Sequence, residues 1–252
     1  MTGADVIAAL DLPKSARVDR RVPKSLLAER GAATAADKRA IASDIEALAW
    51  IAALKPGTVG IPPFRDDERT YEEVEVMSLT LREGARRERL TELVHRAVPY
   101  PVLLIADTGP QTAVNTAHLR WSHAEGEKTV LVGSVVTAVW GRTDATPVPE
   151  DFRSALSLSA LPSTSLLALY QGWMDVIVSL QAWRVTGVFT LPRSPLQAEA
   201  RREALATLLH LDAEVTRLQS EASRTTQMAR KADINVALKR LREARAAAEA
   251  NL

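Results

Sequence analysis

Glu72, Glu73 and Glu75 crowd into a segment that alternates polar and apolar side chains, and carboxylates so placed are the raw material of a magnesium site. A metal-dependent nuclease gathers acids from neighbouring strands and adds a lysine two positions beyond one of them. Glu73, Glu75 and Asp107 would be those acids. Val76 and Met77 follow Glu75, however, so the lysine is missing where the chemistry wants it, and the same alternation also describes the wet face of a strand. His123, Ala124 and Glu125 spell the start of a zinc-deaminase signature, but that chemistry needs further ligands, normally paired cysteines, and the chain has none. His95, His118 and His210 stand far apart in sequence and read as ordinary hydrogen-bonded or solvated side chains. No metal site is assigned.

Nucleotide and acyl-transfer chemistry fare no better. Neither a P-loop nor a Gly-rich dinucleotide fingerprint occurs, and no serine sits in a nucleophile elbow. No catalytic residue and no cofactor is expected. The most concentrated charge is basic: Lys14, Arg17, Arg20, Arg21, Lys24, Arg30, Lys38 and Arg39 outnumber Asp19, Glu29 and Asp37 over the same stretch. Such a run supports phosphate contact, for which Arg17, Arg20, Arg21, Lys24, Lys38 and Arg39 are the DNA-binding candidates. It equally describes a solvated surface, since stacking aromatics are missing there.

These side chains need elements to hold them. A short helix fits Asp5 to Leu10. Thr34, with Asp37 three positions on, opens a helix expected to run to Leu54, its stripe formed by Ile41, Ile45, Leu48 and Ala52, with Pro56 and Gly57 ending it. Thr58 to Ile61 and Tyr71 to Leu81 read as the strands of a hairpin around the loop Pro62 to Thr70. A helix from Ala85 to Ala97 presents Leu90, Leu93 and Val94, and Pro99 stops it. Pro101 to Ala106 is continuously apolar and reads as a central strand, followed by longer strands at Thr112 to Trp121 and Lys128 to Trp140 around a turn at Ala124 to Glu127. The order suggests a mixed sheet with helices against it.

After Trp140 the texture turns helical. Leu166 to Val185, rich in large apolar residues, reads as a buried helix. From Leu196 onward neither proline nor glycine appears, and Leu208, Leu211, Val215 and Leu218 form a stripe that Leu238 and Leu241 resume beyond the polar stretch Ser223 to Lys231. An apolar stripe of that length demands cover, either from the helix at Leu166 to Val185 or from another chain, so these six residues are the partner-binding candidates. The expected fold class is α/β (α+β). Residues 1–140 should form a small mixed sheet with flanking helices, and 150–252 an all-helical, partly coiled-coil arm.

The 252 residues balance 32 basic against 31 acidic side chains, so no global field announces nucleic acid or a membrane surface. With 46% hydrophobic and only 4% aromatic residues the core should be aliphatic. The absence of cysteine suits a reducing cytoplasm, and neither a signal peptide nor a membrane span is expected.

Four segments together resemble a bacterial family: VDRRVPKSLLAERGAATAADKRAI from Val18, IAALKPGTVGIPPFRDDERTYEEVEVMSLTLR from Ile51, LTELVHRAVPYPVLLI from Leu90, and KADINVALKRLREAR from Lys231. The family is domain of unknown function 4391. The resemblance spans nearly the whole chain and is most specific at Lys24 to Ala40, Val98 to Leu104 and the tail around Asn235. It departs near Ser223 to Lys231, where relatives are larger and more aromatic. The resemblance carries no catalytic motif. It implies genes encoded beside a helicase and a DNA methyltransferase, in loci similar to restriction and phage-defence systems. The expectation is therefore a non-catalytic accessory subunit that docks to those partners and touches DNA. A nuclease-like subunit and a homodimeric coiled-coil scaffold are the alternatives.

Overall fold

The computed structural model describes residues 1–121 and 129–252. His123, Glu125 and the expected turn at 124–127 lie outside the described residues. The chain opens with α1 (Gly3–Ala9), whose N-cap Thr2 forms a capping box with Asp5, then β1 (Arg17–Arg21) and α2 (Lys24–Arg30). Next comes α3 (Ala35–Asp44), opened by a second capping box between Thr34 and Asp37 as its sequence announces.

The expected helix to Leu54 does not form. It stops at Asp44, and Ile45–Leu54 is strand β2, paired with β1 on one side and with β5 (Val74–Leu81) on the other, both antiparallel. Helix propensity in this alanine-rich run is worth only tenths of a kcal/mol per residue, and two ladders of hydrogen bonds outweigh it. Lys24 marks the switch, its ammonium donating to the carbonyls of Ala42 and Ile45 at 2.9 Å each where the helical ladder ends. The expected strand at Thr58 to Ile61 is likewise replaced. Pro56 at a first helical position and Thr58 Oγ1, which accepts from the Lys55 amide at 2.9 Å, fold α4 (Pro56–Val59) instead. The hairpin partner of the acidic strand is therefore absent, and a small hairpin of β3 (Phe64–Arg65) and β4 (Thr70–Tyr71) occupies the connecting loop.

From there the reading holds: α5 (Arg87–Ala97), β6 (Val102–Asp107), β7 (Gln111–Trp121) and β8 (Thr129–Gly141). The six strands form one mixed sheet in the order β1-β2-β5-β6-β7-β8, with β5 and β6 parallel across α5 and the other pairs antiparallel. Its two edges differ. β1 carries charge everywhere except Val18, whereas β8 carries none along its length.

One face of the sheet packs Leu48, Met77, Leu79, Val102 and Leu104 against Leu27 of α2, Ile41 of α3, and Leu90, Leu93 and Val94 of α5. The other face meets α1, α6 (Glu150–Ala155) and the start of α7 (Leu166–Thr186). There Trp140 stacks edge-on to Phe152, ring centroids 5.7 Å apart. Strands β6 and β7 pair only from Leu104/Asn115 to Asp107/Thr112. Beyond that, the buried Tyr170 hydroxyl of α7 stands between them, accepting from the Ala117 amide at 2.8 Å and lying 2.9 Å from the carbonyls of Val102 and Ala117.

Two compact units divide the chain, Met1–Ile177 and Val178–Leu252. In the second, α8 (Pro195–Arg224) and α9 (Met228–Glu249) are an antiparallel hairpin reversed over 225–227. The polar stretch Ser223 to Lys231 cannot be buried, so the stripe doubles back there rather than continuing as one rod. No helix among the described residues is long and apolar enough to cross a membrane.

Candidate functional site

The alternation around Glu73 and Glu75 also describes a wet strand face, yet both are buried, at 9% and 4% exposure. The reason is the sheet's order. β5 lies between β2 and β6, and the face that carries Glu75, Met77 and Leu79 is covered by α2 and α5. Where β5 begins, the helices do not fill the space, and a cavity of about 230 Å³ remains. Its walls are aliphatic, with Leu26 and Leu27 of α2, Met77 of β5, and Val94 and Val98 at the end of α5. Its polar lining is Trp50, Glu73, Glu75 and the exposed Tyr100 and Arg30.

The two carboxyl groups have different settings. Glu73 is paired with the Lys55 ammonium at 2.6 Å and accepts from the Tyr100 hydroxyl. That pairing holds Lys55 charged, its ammonium pushed above the usual lysine range first by the hydrogen bond to Glu73. Glu75 accepts a hydrogen bond from Trp50 Nε1. Burial raises its carboxyl to about 7, against the lowering influence of Trp50, because a desolvated anion beside Glu73 is unfavourable. A buried carboxyl with a raised pKa in an apolar pocket with convergent polar groups marks a candidate binding or reactive site.

Asp107 does not join them. In the parallel pair β5/β6, Glu75 lies opposite Val102 and Thr80 opposite Asp107, so the third expected acid is at the far end of the strand. There its carboxylate accepts from the Gly109 amide at 2.8 Å and the Gly3 amide at 3.2 Å. The Glu73–Glu75–Asp107 constellation is therefore not assembled, and no group of three or more metal-binding side chains occurs among the described residues. His95 is buried on α5 and desolvation lowers it to about 4, which keeps the ring neutral. His118 bridges Tyr71 and Gln171 at 2.5 and 2.9 Å, and His210 is exposed on α8.

The sequence pattern over residues 10–244 matches the family model described as "Domain of unknown function (DUF4391)". The chain belongs to the DUF4391 family. No curated protein and no solved structure matches it. In this DUF4391 chain the basic candidates take different tasks. Arg17 grips Asp19 through two hydrogen bonds of 3.0 and 2.7 Å, Arg21 reaches the Glu46 carbonyl at 3.4 Å, and Lys24 is spent on the α3 terminus. Arg20, Lys38 and Arg39 face solvent.

The partner-binding candidates of the DUF4391 chain meet one another. Leu208 and Leu211 pack on Ala248 with Leu241 beside them, and Leu218 packs on Ile234 and Leu238 with Val215 beside them. Arg245–Asp212 at 2.7 Å and Arg230–Glu221 at 2.5 Å clip the hairpin's outside. The stripe is thus packed within the chain, chiefly against α9. The cavity beside Glu75 was missed because its residues come from four separate segments. Trp50, read as part of a helix, was the available signal.

Proposed function

We propose that this chain is a non-catalytic accessory subunit of a bacterial restriction-like or anti-phage defence complex, acting in the cytoplasm. It docks to a helicase or DNA methyltransferase subunit through the cavity between α2 and α5, and Arg20, Lys38 and Arg39 meet DNA. The partners are those that the family resemblance implies. The observation that carries the docking reading is the cavity itself: an open, largely aliphatic recess with a few convergent polar groups, the composition of a recognition pocket.

The nuclease alternative is disfavoured by position and charge. Lys55 already occupies a place beside Glu73 that a divalent cation would need, Glu75 is reluctant to ionise, and Asp107 is elsewhere. The test is to co-express the chain with its encoded neighbours and follow co-elution. Association should persist in the unaltered chain and be lost in Leu26→Glu, which places a charge on the half-exposed cavity wall. Co-elution that survives Leu26→Glu would contradict docking at this cavity. Magnesium-dependent cleavage of plasmid by the purified chain, abolished in Glu75→Ala, would contradict the non-catalytic reading.

A further inference from the structure

The cavity's volume falls below the roughly 300–1,000 Å³ of small-molecule sites, so it suits a single side chain rather than a nucleotide or a helix. Its walls would take an aliphatic stem. Its polar part holds Glu73 and Glu75, of which Glu73 is paired at 2.6 Å with the half-exposed Lys55, and Tyr100 is the other titratable neighbour. Arg30 also lines the cavity, but from the exposed rim, where water screens it. Two acids facing one ammonium leave one negative charge to be balanced.

We infer that the cavity receives an arginine side chain from a partner polypeptide, its guanidinium set between Glu73 and Glu75 and beside the rings of Trp50 and Tyr100. Arginine fits better than lysine. Its planar fork can meet carboxylate oxygens at two points and lie against an aromatic face, and it sheds water more readily than an ammonium. Burial favours the protonated form of Glu75, so the entering cation displaces a proton. The inference rests on the docking reading and specifies what the docked partner inserts.

The experiment titrates the full chain with n-butylguanidinium, using n-pentanol as the neutral counterpart, and follows the Trp50 indole N–H signal by NMR. At pH 8 butylguanidinium should shift this signal saturably and n-pentanol should not. Affinity should fall about tenfold at pH 6, where only about one Glu75 in ten is ionised. Glu75→Gln should weaken binding about tenfold at pH 8 and remove the pH dependence, while the other indole signals report an intact fold. Lys55→Met, which deletes the competing cation, should tighten binding, a gain that misfolding cannot produce. Equal shifts with n-pentanol, or butylguanidinium affinity indifferent to both pH and Glu75→Gln, would overturn the inference. Co-elution with the encoded neighbours bears on the docking reading alone, so the two can fail separately.

Discussion

Among single residues, Glu75 sets the most specific expectation. Its carboxyl is raised from the ordinary 4.5 to about 7, so between those values the folded chain holds a proton that the unfolded chain has released. Stability contributed at this position is therefore present below pH 4.5 and lost as pH rises to 7. Glu75→Gln, which keeps an acceptor for Trp50 but cannot ionise, should raise stability at pH 8 by about 3 kcal/mol and do little at pH 4. Urea denaturation of both proteins at the two pH values measures this. An equal effect at both would mean that Glu75 titrates alike in the folded and the unfolded chain. The acid residues themselves were legible in the sequence, but their burial was not: alternation along a strand reports two faces without saying that helices cover both.

At the level of elements, sequence and structure part company where local preference competes with pairing. The capping box at Thr34 and the apolar stripe of α5 are short-range signals: α3 begins at its expected start, and α1 and α5 begin two residues from theirs. β2 was invisible because Ala47, Ala49, Ala52 and Ala53 favour helix and only partners far along the chain make it a strand. The Tyr170 hydroxyl is equally non-local. It serves the Ala117 amide and the Val102 carbonyl where β6 and β7 part, so Tyr170→Phe leaves buried backbone groups unpaired. The expected cost is about 1–3 kcal/mol in urea unfolding, with little change in secondary structure by circular dichroism. A variant as stable as the parent would show that those groups find other partners.

For the molecule as a whole, division into Met1–Ile177 and Val178–Leu252 predicts unfolding that is not a single transition. Leu238 packs on Leu218 and Ile234 inside the second unit, and Leu238→Ala should weaken the α8–α9 hairpin by about 2–4 kcal/mol. Hydrogen exchange should then quicken in α8 and α9 while the sheet keeps its protection. Uniform loss across both units would instead mean that they unfold together. The helical texture of this region and its stripe were readable from spacing alone. Spacing does not show its reversal at 225–227, although the polar stretch Ser223 to Lys231 breaks the stripe there.

The unequal margins of the sheet have a last consequence. Endless strand-on-strand stacking requires two receptive borders on every molecule, and here arginines and an aspartate guard the β1 border while only the uncharged β8 border invites pairing. Strand pairing between copies is therefore favoured through β8 and opposed at β1, where every residue but Val18 is charged.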